Sequence, residues 1–265
     1  LDKIDPSIMM YGEGWTGGTS GLIANEQTNK RVTYKVPGVA AFSDDIRDAI
    51  KGSVFDSYDN GFISGKSGQE IGIQYGVVAA VQHSGINYSA YEKTTGSWAG
   101  DPGQCITYSS CHDNLTLWDK IYYSAPDATE AEKLSMNKLS AAIIYTAQGV
   151  PFMLSGEEML RSKPIEGENG EYSHNSYNLN DYTNSIKWDT LEDENVADMY
   201  EYYKGLIDFR QAHSGLRMTT TEDVENNLTF MEVEQKNVVA YTIANSPNGE
   251  KAKNIMVIYN GNKEA

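Results

Sequence analysis

M-Y-G-E-G-W at residues 10–15 and S-S-C-H-D-N-L-T-L-W-D-K at residues 109–120 share one layout: a run that reads as a buried strand gives way to a carboxylate, Glu13 or Asp113. Neither acid has an obvious basic partner nearby. Working outward, the short apolar runs at 36–42 and 150–154 read as two more strands, and 104–110 is the strand that leads to Asp113. Between them lie helical patterns. S-D-D-I-R-D-A-I-K-G has a Ser cap and early acids, 71–81 is apolar, 116–123 begins another helix, and 129–146 sets Leu134, Leu139, Ala142, Ile143 and Thr146 on one face. A further helix covers 195–213, with Met199, Tyr203, Leu206 and Ile207 at helical spacing. Short buried strands each followed by a helix are the signature of parallel βα units. After Leu216 the texture changes. Runs at 228–234, 238–245 and 255–259 alternate, separated by turns such as S-P-N-G and N-G-N, as in a small antiparallel sheet. The expected units are therefore 1–216 and 217–265, with the boundary near Arg217.

The bulk numbers narrow the function. A chain of 265 residues with 40% hydrophobic residues can bury a substantial core. With 21 basic residues against 37 acidic ones, its net charge of -16 argues against nucleic acid or an anionic membrane as partner. No run of eighteen apolar residues occurs, so no membrane span is expected, and the opening L-D-K-I-D-P does not read as a signal peptide. Cys105 and Cys111 are six residues apart in and just beyond one expected strand, roughly 20 Å along it, so both are expected as free thiols. The acid-rich loops leave calcium open, but no EF-hand pattern and no other metal motif is present, and no cofactor is expected. The 18 tyrosines and 4 tryptophans offer flat apolar faces with polar edges, which suit sugar rings.

In parallel βα architectures the strands end at the face where loops build the active site. Glu13, Asp113 and the Glu157–Glu158 pair all follow expected strands, so they are expected on one rim. Paired carboxylates there suit glycoside hydrolysis, in which one acid protonates the leaving oxygen and ionised ones attack or stabilise positive charge. The bland alternatives are helix caps and ion pairs. Asp113 stands where it could cap the helix beginning near Thr116.

Five stretches in order lend this weight: Y-G-E-G-W at 11–15, A-F-S-D-D-I-R-D-A-I-K-G at 41–52, H-D-N-L-T-L-W-D-K at 112–120, Q-G-V-P-F-M-L-S-G-E-E at 148–158 and N-S-Y-N-L-N-D-Y-T-N-S-I-K-W at 175–188. Together they resemble the α-amylase superfamily, glycoside hydrolase family 13, and within it the type I pullulanases. The resemblance implies a (β/α)8 TIM barrel and a retaining mechanism. Residues 1–216 would be the second half of that barrel, with a partial antiparallel β-domain after them. Glu13 matches the general acid/base after the fifth barrel strand. Asp113 matches the carboxylate that stabilises the transition state after the seventh, and His112 the histidine that hydrogen-bonds the sugar. Trp15 falls where such enzymes carry an aromatic beside the scissile sugar. Glu13 must then hold its proton near neutrality, which calls for a dry pocket.

The pattern is incomplete. The nucleophilic Asp of such enzymes lies in a segment like G-F-R-F-D, after an earlier D-x-x-x-N-H segment, and neither occurs here. The missing half of the barrel is thus expected upstream, as a partner of this half, and these residues alone are expected to be inactive. The full protein is expected to hydrolyse α-1,6 links in pullulan, limit dextrin or branched α-glucan. The alternatives are an α-1,4-acting member of the superfamily and a glucan-binding piece without chemistry. Tyr177, Asn178 and Asp181, in a polar loop after the fourth strand, are expected substrate contacts. Arg47 with Asp44, Asp45 and Asp48 reads as an ion-pair cluster bracing the rim, and Glu157 and Glu158 as structural acids. Secretion or cytoplasmic residence stays open.

Overall fold

The computed structural model describes residues 4–5, 7–23, 26–91, 96–168 and 170–264. Residues 1–3 and 6 of the opening segment read for a leader lie outside them. Four strands, β1 (Met10–Gly12), β2 (Val39–Phe42), β3 (Cys105–Thr107) and β4 (Val150–Pro151), pair in parallel in chain order. They are shorter than the apolar runs that announced them, because pairing stops where the rim loops take over the backbone hydrogen bonds. Phe152 N, for example, still donates to Thr107 O at 2.8 Å, and no further rung follows it among the described residues.

Helices α1 (Asp44–Lys51), α2 (Glu70–Val77), α3 (Leu117–Ser124), α4 (Glu130–Thr146) and α6 (Glu194–Ala212) pack around this sheet, with a single-turn α5 (Asp181–Asn184) on the loop after β4 and α7 (Thr221–Asn227) leading into the second sheet. Their starts follow local chemistry. Thr116 accepts from Asp119 N, Thr129 forms a reciprocal box with Glu132, and Asp193 accepts from Asn195 N and Val196 N. α4 lies between two apolar layers. Ile143 and Ile144 join the main core with Ile46, Ile73 and Leu117, while Ala141 and Tyr145 meet Met199 and Tyr203 of α6. Leu134 and Leu139 are only half-buried, because the deepest face of α4 also carries Asn137 and Ser140. Gly76 allows α2 to approach α1 closely, since a Cβ there would lie 2.3 Å from Ile46 Cδ1.

Strands β5 (Leu228–Phe230), β6 (Val238–Ile243) and β7 (Ile255–Asn260) form an antiparallel sheet. Its Val239, Tyr241, Ile243 and Tyr259 belong to the same apolar cluster as Ile46 and Ile143. Tyr241 Oη donates to Thr146 O at 2.8 Å, and Tyr259 Oη meets Thr146 Oγ1 at 2.5 Å, so the end of α4 is tied to the sheet. The protein is thus a mixed α/β fold with a three-stranded antiparallel sheet. β1 differs from expectation. Met10 and Tyr11 are exposed, because β1 pairs on one side only and nothing among the described residues covers its outer face. Cys105 and Cys111 are both free, and among the described residues no helix is long and apolar enough to cross a membrane.

Lys51, at the end of α1, is fully buried and its Nζ reaches Leu115 O at 3.4 Å. Burial, and after it the neighbouring Arg47, push its pKa down to about 7 against the pull of Glu157 and Asp48. An unfolded lysine titrates near ~10.4. From about pH 7 to about pH 10 the unfolded chain therefore binds more protons than the folded one, and stability rises with pH through that window. Below it the folded ammonium carries its full burial penalty. Lys51→Met is expected to raise the midpoint of thermal unfolding at pH 6 and to raise it less at pH 9. An equal gain at both would show that the charge is not the costly feature.

Candidate functional site

The carboxyl ends of the parallel strands place the acids. Glu13 follows β1 directly, and the chain from β3 runs through a buried Tyr108–Ser110 segment to His112 and Asp113. His112 Nε2 lies 3.9 Å from Glu13 Oε1 and 3.6 Å from Asp113 Oδ2, and one donor atom from each residue falls within 4.8 Å of the other two. Two loops from strands that are not neighbours thus bring two carboxylates and an imidazole to one point. Asp113 does not cap α3: Thr116 does that, which leaves the Asp113 carboxylate free for the rim.

All three side chains are exposed, Glu13 at 48%, His112 at 74% and Asp113 at 60%. The dry pocket that a general acid calls for is therefore not formed by the described residues. Among them, this trio is also the cluster that could hold a metal ion. Two carboxylates and one imidazole nitrogen fall short of the six to eight oxygens that calcium takes, so the set does not fit that ion.

The trio rests on a buried floor. Lys163, from the loop after β4, donates to His112 O at 2.5 Å and Asn114 O at 3.1 Å, bracketing Asp113 by its neighbours' carbonyls. Its own amide donates to Asp119 Oδ2 at 2.9 Å, and Ser162 Oγ donates to Asp119 Oδ1 at 2.5 Å. Asn114 sits at φ +65°, a left-handed turn that Asn tolerates, and it reverses the chain after Asp113. Below lies Glu157, fully buried, which accepts from Ser109, Ser110 and Tyr203 hydroxyls. Burial holds its carboxyl above the usual range, and the nearby Lys51 and these donors only partly offset that. It is a structural acid, while Glu158 accepts from Gly156 N at 3.0 Å within its own turn.

Trp15 stands on the Glu13 loop, partly exposed, with Lys30 Nζ 5.8 Å from its ring. The same ammonium pairs with Asp44 and, at 2.8 Å, with Asp45, which also accepts from Trp98 Nε1 at 3.0 Å. The expected Arg47 cluster is therefore different. Arg47 pairs with Asp48 at 2.7 Å and donates to Tyr108 Oη at 2.9 Å, whereas the cation for Asp44 and Asp45 is Lys30. Lys30 is the first residue of a short 3-10 helix, Lys30–Lys35, that lies well before α1 in the chain. Trp15, Lys30, Asp44, Asp45 and Asp48 line a cavity of about 460 Å³ that also reaches Trp98 and Asn29.

Tyr177, Asn178 and Asp181 lie exposed on the loop after β4, Tyr177 at 82%. Among the described residues no hydrogen bond or ion pair joins them to the Glu13 group. Their loop is nonetheless fixed to the same rim. Asn184 Nδ2 donates to Ser176 O and Leu179 O, Arg161 Nη2 donates to Asn184 O, and Thr183 Oγ1 donates to Pro164 O, one residue from Lys163. Lys163 and Lys30 were not legible as site residues in the sequence. R-S-K-P carries no periodicity, and only the two carbonyls it holds reveal its role.

Removing the Lys163 ammonium would take the donor from two part-buried carbonyls, at a cost of up to about 1–3 kcal/mol each. Lys163→Met is expected to speed amide exchange at residues 112–116 by about ten- to a hundredfold while residues 135–146 of α4 keep their protection. Hydrogen–deuterium exchange read by mass spectrometry checks this. Equal acceleration in α4 would count against a local clamp.

A family model for the pullulanase all-beta domain matches residues 224–265. The pullulanase of Bacillus subtilis (strain 168) is 32% identical over 265 residues, which is 99% of this chain and 34% of that protein. Among solved structures, a pullulanase from Bacillus acidopullulyticus superposes with a TM-score of 0.87 at 38% identity, over 99% of this chain and 29% of its own. A pullulanase from Paenibacillus barengoltzii, in complex with maltohexaose and α-cyclodextrin, gives 0.86 at 36% identity, over 98% of this chain and 38% of its own. The chain spans about a third of the length of these relatives. It belongs to the type I pullulanase family, matching a C-terminal portion of its members.

Proposed function

We propose that this chain supplies the acid/base and the stabilising carboxylate of an enzyme that hydrolyses α-1,6-glucosidic links in branched α-glucans. The observation that carries the reading is the meeting of Glu13, His112 and Asp113 at the carboxyl ends of β1 and β3. The parallel sheet is read as half of a (β/α)8 barrel. Four parallel strands in chain order, with β1 bare on its outer edge, are what half of such a closed sheet would look like. Phe42, Tyr108 and Phe152 form a connected aromatic layer, with ring centroids 5.1 Å apart from Phe42 to each of the others, and Tyr11 joins at 5.9 Å. In a closed barrel that layer would lie inside. The boundary near Arg217 is retained as the end of this half, with 217–265 as the start of the β-domain.

In this mechanism Glu13 gives its proton to the glycosidic oxygen as the bond to the anomeric carbon breaks. A carboxylate from outside this chain forms the covalent glycosyl intermediate, and water then hydrolyses it while Glu13 takes the proton back. Asp113 stabilises the positive charge that develops on the ring, and His112 donates to a sugar hydroxyl beside it. Trp15, Tyr177, Asn178 and Asp181 contact sugars along the rim. The exposure of Glu13 fits a site whose other wall, and whose substrate, exclude the water that these residues leave in place.

Reducing-end release from pullulan tests the assignment. In the whole protein carrying this chain, Glu13→Gln is expected to lower kcat by about 10²–10⁴-fold, the usual contribution of a general acid. The 265 residues alone are expected to give no turnover and to gain it when mixed with the upstream portion. Undiminished activity in Glu13→Gln would remove Glu13 from the acid's role. Turnover by these residues alone would show that the nucleophile lies among them. Products other than maltotriose from pullulan would point to α-1,4 specificity.

A further inference from the structure

Away from the Glu13 group, four tyrosines form one connected cluster on the outer flank of α3. Tyr123 meets Tyr58 at 5.6 Å, Tyr122 at 5.8 Å and Tyr172 at 5.8 Å, with planes at 70° to 80°, and Tyr122 meets Tyr172 at 5.1 Å and 75°. They come from three places: the end of α3, the loop after α1, and the strand-like return at 171–173. The half-buried Tyr123 and Tyr172 make the base. The Tyr123 hydroxyl is occupied, accepting from Tyr172 N at 3.0 Å and donating to Gly170 O at 3.5 Å. Tyr58 (69%) and Tyr122 (42%) stand exposed on either side. Among the described residues, the hydroxyls of Tyr58, Tyr122 and Tyr172 have no hydrogen-bond partner.

The surface is rigid before any ligand arrives. Lys120 Nζ donates to Ser53 O at 2.9 Å and to Asp56 O at 2.5 Å, fixing the loop that carries Tyr58 to α3. Lys133 Nζ lies 5.0 Å from the Tyr122 ring centroid, leaving a donor at the edge. Rings held by the fold lose little freedom on binding, which favours affinity.

We propose that this cluster is a second α-glucan-binding site, separate from the rim. Its chemistry is that of a neutral polyhydroxylated ligand: apolar ring faces, free phenolic edges, and a chain too acidic for polyanions. Tyr122 stands at 80° to Tyr123 and 75° to Tyr172, so the cluster presents ring faces in more than one plane, which suits a chain that turns at each α-linkage better than the flat ribbon of a β-1,4 glucan. The choice of α-glucan rests on the debranching reading above.

The test uses the whole protein carrying Glu13→Gln, so that the polymer is not consumed, and gel retardation by glycogen, with hydroxyethyl cellulose as control. Tyr58→Ala/Tyr122→Ala truncates two exposed rings and opens no core. It is expected to weaken retardation by glycogen about two- to tenfold per ring. In otherwise unaltered enzyme the same pair should leave hydrolysis of a short branched oligosaccharide unchanged, and Tyr58→Trp/Tyr122→Trp should keep retardation. Unchanged retardation in the Ala pair, or an equal loss on hydroxyethyl cellulose, overturns the proposal. Glycogen retardation that depends on these tyrosines, together with no cleavage of pullulan by the protein with Glu13 intact, would sink the debranching reading and leave this site standing.

Discussion

Loops at the rim and away from it are closed by buried cations that bond to backbone carbonyls. Lys163 holds His112 O and Asn114 O, Lys120 holds Ser53 O and Asp56 O, and Arg210 holds Tyr145 O, Ala147 O and Gly149 O just before β4. A charged group taken out of water costs several kcal/mol unless its donors are all matched. Burial accordingly drives Lys120 down to about 8 and Arg210 to about 10. The cost secures position, because a loop that moved would strand the cation. The same arrangement explains why Glu13 and Asp113 have no lysine or arginine partner among the described residues. In a chain with 21 basic residues, those nearest the rim are engaged with carbonyls or, for Lys30 and Arg47, with the acids of α1. His112 is left as the group that meets both acids.

Packing below the rim works to the same end. The deepest face of α4 is partly polar, and its Asn137 accepts from Tyr203 Oη at 3.2 Å, beside the Tyr203 bond to Glu157. That network fixes the height of Ser109 and Ser110, and so of the segment that ends in Asp113. At the other end of α4, Thr146 fixes the antiparallel sheet through Tyr241 and Tyr259. One helix therefore sets both the floor of the candidate site and the attachment of the β-sheet. This is why a single apolar cluster runs across residue 217.

The order and direction of the four strands were legible in the sequence because short apolar runs between capped helices leave few alternatives. Thr129 with Glu132 and Thr116 mark helix starts by chemistry that is local. What local pattern could not show was burial that depends on a neighbour. Met10 and Tyr11 have the residues of a buried strand and lie exposed, since nothing among the described residues covers that face. Sequence proximity pairs the acids of α1 with Arg47, whereas the ammonium that meets Asp44 and Asp45 comes from Lys30, at the start of a 3-10 helix over Lys30–Lys35. Glu13, His112 and Asp113 stood out through the motifs around them, and Lys163 could not, because its task is to hold main-chain atoms that any sequence would provide.

Two separate clamps keep the candidate site in shape. Glu13 and Asp113 come from separate strand ends, and their loops are fixed by different groups: Lys30 bonds its own amide to Gly14 O at 2.9 Å on one side, and Lys163 bonds two carbonyls on the other. Neither clamp uses the carboxylates themselves. The acids are therefore positioned without being neutralised, and remain free to meet a sugar or a third carboxylate. Had an arginine done this positioning by pairing with Asp113 directly, the negative charge that the proposed role asks of Asp113 would already be partly cancelled. Positioning through carbonyls separates the two requirements, and it is the physical reason that this rim can hold acids close together on a chain of strongly negative charge.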